Sequence, residues 1–285
     1  MIPKPQQSYL LQKRFRQKEP RMTIALGLKC LDGIVILADS LETDGVTKKY
    51  VDKIWSYQVG QEWGISIASA GEADLADSFN DTLDGILGNE GFDEIKLMGK
   101  LKSAIAQTRR AYPDSELAMI IGVFGPQMVK KLYRVTADSK HLGPIRIYEA
   151  LGIGSSLVKF LCSQMFGQFI LVEEAIRFGI FALSRCNEHV DGCGGPISVI
   201  SKNKDNKGWT VEPPNRVLEI QTELAAGSFR RSLIDYWMTS NPLVARVKHD
   251  RYREYVEGGS VRWKIVTGKT PTIKPSTSRK LRQTR

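Results

Sequence analysis

The sequence predicts an α+β fold in which two antiparallel sheets pack face to face and a helix pair covers each outer surface. Three observations predict it. Strand-like runs come in blocks instead of alternating one by one with helices, which argues against a parallel α/β sheet. Each block is followed by two stretches with apolar residues at helical spacing. Turn signals such as Asp32-Gly33, Val59-Gly60 and Gly125-Pro126 join neighbouring strand candidates.

Taken in order, residues 1–22 read as a disordered extension or propeptide. Thr23–Leu31 alternates as a strand, and Ile34–Ala38 is a continuous apolar run suited to a strand buried on both faces. The two form a hairpin through Asp32-Gly33, a pair that favours positive φ in tight turns, and it ends at Asp39-Ser40. Ser40–Asp52 is polar and reads as a loop or short strands. Lys53–Gln58 and Trp63–Ala70 are the next strands. Leu75, Phe79, Leu83, Ile86 and Leu87 then mark a helix up to Gly88, and Phe92–Tyr112 a second one ended by Pro113. Strands return at Leu117–Phe124, Val129–Ala137 and Ile145–Leu151. Helices follow at Leu157–Phe166 and Val172–Cys186, then strands at Pro196–Ser201 and Trp209–Val211 and a helix at Gln221–Thr239. We read residues 23–240 as one domain and 241–285 as a basic, partly disordered extension.

The net charge of +10 does not mark a nucleic-acid binder. Thirteen of the 41 Lys/Arg but only one of the 31 acids lie in residues 1–22 and 263–285, so the body is close to neutral. Nothing in the body resembles a nucleic-acid reading module. No apolar run reaches the length of a membrane span, and the N-terminus lacks a secretory apolar core. The four cysteines, Cys30, Cys162, Cys186 and Cys193, form no CxxC, so reduced thiols in the cytoplasm are expected. Cys186, His189 and Cys193 lack a fourth ligand at a recognisable zinc spacing. Val266-Thr267-Gly268-Lys269-Thr270 ends like a phosphate loop, but Trp263 stands where that motif needs its first Gly. No metal or cofactor is expected.

The chemistry concentrates on RMTIALGLKCLDGIVILADS, residues 21–40. If Met22 is removed, Thr23 becomes the first residue and gains a free α-amine, whose ordinary pKa of about 7.7–8.0 suits a general base. The amine can activate the hydroxyl of its own residue, directly or through one water. The same Thr inside a chain has only an amide nitrogen. The hydroxyl also needs a nearby cation, for which Lys53 is the candidate, and a carboxylate to orient that cation, for which Asp39 at the end of the second strand is the candidate. The Ala70-Gly71 turn, where a strand ends and a helix begins, offers backbone N–H groups as an oxyanion hole.

These residues carry a resemblance. Thr23, the strand after it, Lys29-Cys30-x-Asp32-Gly33, a second apolar strand and Ala38-Asp39-Ser40 resemble the start of a mature proteasome β-subunit or its bacterial proteasome-like relative. Lys53-Ile54, Ser69-Ala70-Gly71-Glu72-Ala73-Asp74, Gly152-Ile153-Gly154-Ser155 and Gly192-Cys193-Gly194-Gly195 resemble later family turns in the same order, over residues 23–212. The resemblance implies a four-layer αββα N-terminal nucleophile (Ntn) hydrolase. Thr23 would be nucleophile and base, Asp39 and Lys53 its support, and Ala70 and Gly71 the oxyanion hole. It also implies a threonine-type endopeptidase, self-assembled into rings, with unfolded polypeptide as substrate and an ATPase unfoldase as possible partner. Ser40 and Thr43 would lie beside the substrate, and Val51, Trp55 and Ala68 would line its first pocket.

The chain departs from that pattern beside the amine. Ile153 stands where the family has a hydrogen-bonding Ser, and Cys193 where the late turn has Ser. The family's acid before that turn falls on Val190, with Asp191 one position late, so Asp191 and Cys193 are the supporting candidates. Two other readings stand beside the peptidase. One is a catalytically inactive structural subunit that keeps residues 1–22; the other is an Ntn amidase acting on a small substrate.

Overall fold

The computed structural model describes residues 23–43, 47–60, 62–88, 93–113, 117–126, 129–136, 141–167 and 170–226. All of them belong to the first of two units of the chain, residues 1–232. The expected N-terminal extension and the basic tail from residue 241 lie outside the described residues.

Twelve strands and five helices are present among the described residues. β1 (Ile24–Lys29) and β2 (Gly33–Asp39) form the expected hairpin, with Ala25 opposite Ala38 and Lys29 opposite Ile34. β3 (Leu41–Thr43) and β4 (Lys48–Tyr50) make a separate two-stranded ribbon. β5 (Ile54–Val59), β6 (Trp63–Ser69), β7 (Met119–Gly125), β8 (Val129–Val135) and β9 (Gly143–Ile145) form one antiparallel sheet in chain order. The other sheet runs β10-β1-β2-β11-β12, where β10 is Tyr148–Gly152, β11 Ile197–Asn203 and β12 Thr210–Val211.

The layers follow from the side-chain period of two. Along β2, Ile34, Ile36 and Ala38 face the second sheet with Ala25, Ala68, Ile120 and Ile200, forming the core between sheets. Leu37 points the other way, onto helix α4 (Val172–His189), where Gly179 makes room for it: a Cβ there would stand 2.6 Å from the leucine. This is why β2 reads as an unbroken apolar run. Each such Ile or Leu stabilises the fold by about 2 kcal/mol through burial. Helices α1 (Ala73–Leu87) and α2 (Glu94–Ala111) cover the second sheet through Leu75, Phe79, Leu83, Leu97, Leu101 and Ile105. Helix α3 (Ser155–Met165) packs on β10. Helix α5 (Pro214–Ala225) lies beside α4.

Three expectations need correction. Gly33 does not have positive φ. A Cβ there would collide with the Lys202 carbonyl and Val172, so close approach is what excludes a side chain. The Asp32 carboxylate instead receives the Val172 N–H at 2.9 Å and caps α4 from 140 residues away. The single strand expected at Ile145–Leu151 is two, β9 and β10, which belong to different sheets and break at Arg146-Ile147. The last helix begins at Pro214, seven residues early, because proline at the first helical position starts a helix as readily as it ends one. The end of that expectation, residues 227–239, lies outside the described residues.

Candidate active site

Four segments meet at one end of the two sheets. Thr23 directly precedes β1 and is 3% exposed. The hairpin register carries Asp39, at the far end of β2, back beside it. Lys53 precedes β5 of the other sheet, and its carbonyl accepts the Ser69 N–H at 3.0 Å. The link between β10 and α3 closes the fourth side.

The Thr23 hydroxyl donates to Asp39 Oδ1 at 2.9 Å and accepts from Lys53 Nζ. The ammonium also donates to Asp39 Oδ1 at 2.8 Å and to the Leu41 carbonyl. Asp39 is further held by the Ile24 N–H at 3.1 Å and by the Gly194 N–H on Oδ2 at 3.0 Å. All three side chains are buried. Burial pushes the Lys53 ammonium below its ordinary range, against the opposing pull of the Asp39 charge and hydrogen bond. The lysine is therefore a proton donor poised beside a hydroxyl, in a pocket where water does not screen it.

The Thr23 backbone is clamped as well. Its carbonyl accepts the Ile153 N–H at 3.0 Å. Gly152 sits at φ +105°, where a Cβ would run into that same carbonyl. Only glycine lets the chain turn so close to Thr23.

The remaining candidates divide. At the turn, the Ala70 N–H is occupied by the Ala118 carbonyl at 2.8 Å. The Gly71 N–H donates to no backbone carbonyl among the described residues. Asp191 is exposed in the turn after α4, and its carboxylate makes no hydrogen bond or ion pair among the described residues. Cys193 is buried, but its sulfur faces Cys186 Sγ at 3.4 Å. Its turn reaches the site through the next residue, Gly194. Val51 and Trp55 are half-buried, and Ala68 is sealed in the core between sheets. Among the described residues no group of three or more His, Cys, Asp or Glu is placed to hold a metal, and no helix is long and apolar enough to cross a membrane.

Sequence reasoning missed three backbone groups that complete the site: the Leu41 carbonyl, the Gly194 N–H and the Ile153 N–H. The glycine-rich turns at 152–154 and 192–195 were the only signals for the last two. The Leu41 carbonyl has none, since every residue carries one.

Two antiparallel sheets packed face to face, with helices on both outer surfaces, make this a four-layer αββα sandwich. Among solved structures the chain is similar to Anbu (ancestral beta-subunit) from Yersinia bercovieri, with a TM-score of 0.63 at 14% identity over 73% of this chain and 95% of that one. It is similar to an Anbu (Gly-1) mutant from Hyphomicrobium sp. strain MC1, with a TM-score of 0.61 at 12% identity over 73% and 96%. It is also similar to the Anbu chain of a helical assembly from Pseudomonas aeruginosa, with a TM-score of 0.61 at 14% identity over 73% and 95%. No family model and no curated protein matches the sequence. The likeness is one of fold.

Proposed function

We propose that the protein is a threonine-type endopeptidase that acts through Thr23 as its N-terminal residue. The observation that carries this reading is the hydroxyl of Thr23 seated between the Asp39 carboxylate and the Lys53 ammonium, three side chains drawn from both sheets. Once Thr23 leads the chain, its α-amine takes the hydroxyl proton as the oxygen attacks a peptide carbonyl. The Gly71 N–H, at the mouth of helix α1, stabilises the oxyanion. Collapse expels the leaving amine, which takes the proton back, and leaves an ester on Oγ1. The same amine then activates a water to hydrolyse that ester. Lys53 steadies the developing negative charge on Oγ1, and Asp39 holds Lys53 in place.

Self-association fits this reading, since one of the structurally similar Anbu proteins is described as a helical assembly. A compartment or filament of this chain would admit unfolded polypeptide, with an ATPase unfoldase as the feeding partner. The rival is an inactive structural subunit. What favours it is that Ile153 and Cys193 stand where the family resemblance expects supporting Ser residues, and the Cys193 sulfur faces Cys186.

The test is the N-terminus of the purified full chain, read by sequencing and intact mass beside hydrolysis of a fluorogenic peptide. A Thr-first chain that cleaves the peptide, with a loss of about a thousandfold in Thr23→Ala, supports the peptidase. A Thr-first chain without hydrolysis, or hydrolysis unchanged in Thr23→Ala, overturns it.

A further inference from the structure

We infer that Cys186 and Cys193 form a redox-modification site, a dithiol that a small peroxide closes into a disulfide, and that closure pulls the turn carrying Gly194 away from Asp39. The two sulfurs lie 3.4 Å apart in a buried setting. A disulfide needs about 2.05 Å. Forming it requires a contraction of about 1.4 Å between the sulfurs.

The surroundings are shaped for the pair. Gly154, at the start of α3, lies against both sulfurs. A Cβ there would run into Cys186 Sγ and stand 3.0 Å from Cys193 Sγ. Cys30 and Cys162, in contrast, are buried singly. Burial pushes the Cys162 thiol up to about 12 and the Cys30 thiol upward as well. In the pair, the shared hydrogen bond lowers Cys186 and raises Cys193, so one proton leaves the two sulfurs more easily than it leaves an isolated buried thiol.

The chemistry balances with a peroxide as oxidant. The thiolate attacks one peroxide oxygen, the O–O bond breaks, and a sulfenic acid and hydroxide result. The second sulfur then attacks the sulfenic sulfur, its own proton leaves with the sulfenic OH as water, and the proton shed when the first thiolate formed neutralises the hydroxide. Two thiols and one hydrogen peroxide give one disulfide and two waters.

The compliant partner is Cys193. Cys186 lies in the last turns of α4, anchored by the buried Phe178, Ala182 and Leu183 of the same helix. Cys193 lies in a turn flanked by Gly192 at φ +88° and followed by Gly195 at φ +76°. Gly194 donates to Asp39 Oδ2 at 3.0 Å, and its carbonyl receives the Leu41 N–H at 3.0 Å. Drawing Cys193 toward α4 strains both contacts. Oxidation therefore reports on the Asp39 shell whether or not the chain is a peptidase; loss of hydrolysis on oxidation rests on the function proposed above.

The experiment uses the full chain, reduced, desalted and titrated with hydrogen peroxide, then alkylated and digested with trypsin. The peptide Cys186–Lys202 carries both residues. It should lose about 2 Da, escape alkylation and recover on thiol reduction, at doses that leave Cys30 and Cys162 alkylated. Amide exchange in the segment holding Gly194 should quicken about tenfold in the oxidised protein and stay slow in peroxide-treated Cys193→Ser. Oxygen addition to either cysteine in place of the 2 Da loss overturns the site. A disulfide with unchanged exchange at Gly194 overturns its coupling to Asp39. Neither readout uses peptide hydrolysis, so failure of the peptidase reading is seen separately.

Discussion

Two carboxylates are buried in the same sheet and do different work. Glu149, in β10, faces two cations, Arg134 and Lys159, the latter at 2.6 Å. Asp39, at the end of β2, faces one ammonium, two backbone N–H groups and the hydroxyl of Thr23. Burial pushes Glu149 upward, but hydrogen bonds from Lys159 and Arg134 outweigh it and hold the carboxyl below its ordinary range. Its partners are about half exposed, so the cluster is a wet ion pair at the rim. The comparison teaches that burial of a charge does not mark a site. What sets Asp39 apart is its company: a lysine pushed down by burial and a hydroxyl that accepts from that lysine.

Short of removing Thr23 itself, the largest expected effect breaks the pair on the Asp39 side. Asp39→Asn keeps the shape but turns one acceptor oxygen into a donor facing N–H groups that already donate. Peptide hydrolysis should fall by about a hundredfold or more, while the purified chain still folds. The loss also carries a pH signature. In the native protein, Lys53 is already depressed below 10.5, so activity that needs the ammonium falls as pH rises through its folded value. Removing the Asp39 charge depresses it further, so that alkaline limb should move to lower pH. Stability runs the other way: a depressed lysine binds fewer protons folded than unfolded, so native stability should rise with pH in the window below 10.5. The pH profile of hydrolysis and thermal melts across that window measure the two.

Next in size is Gly152→Ala. The substitution meets a φ of +105° and the Thr23 carbonyl together. It should destabilise by about 2 kcal/mol and, on the peptidase reading, lower kcat more than it raises KM, because it displaces the proposed nucleophile and little else. Denaturant melts and steady-state kinetics separate the two effects. Equal losses at an unrelated positive-φ glycine, such as Gly60 where a Cβ meets nothing within 4 Å, would refute the specific clamp.

The order of these two effects follows what the sequence made legible. Thr23, Asp39 and Lys53 could be picked out because side-chain chemistry is written in residue types, and the hairpin arithmetic places Asp39 back beside Thr23. The two-sheet architecture was readable from blocks of apolar runs. The clamp was not, since it is backbone chemistry: Ile153 acts through its N–H and Leu41 through its carbonyl, whatever their side chains. The split between β9 and β10 was equally hidden. Ile145 and Tyr148 are both strand formers, and only the sheet each joins distinguishes them. Asp32 reads locally as a turn residue, yet its carboxylate caps α4, a contact no local window contains.

A smaller effect comes from the other carboxylate. Glu149→Gln should cost about 1 kcal/mol near neutral pH, since its half-exposed partners are screened by solvent. It should leave kcat unchanged. Because the folded carboxyl titrates below 4.5, the stabilisation is complete above that value and is lost as pH falls through the folded pKa. The melting difference between native protein and variant should therefore narrow in acid. An effect on kcat comparable to that of Asp39→Asn would erase the distinction between the two carboxylates.

The smallest expected change sharpens the comparison from the amine side. Ile153 is 39% exposed and holds Thr23 through its N–H alone, so its side chain is replaceable. Ile153→Ser keeps that bond and places a hydroxyl next to the position the α-amine takes when Thr23 leads the chain. One added hydrogen bond to an amine otherwise held by solvent should raise kcat/KM by roughly threefold, with melting unchanged. The gain should appear mainly below pH 8, where a steadied amine is otherwise protonated. A uniform gain at every pH would mean that the serine acts by opening the site and not through the amine.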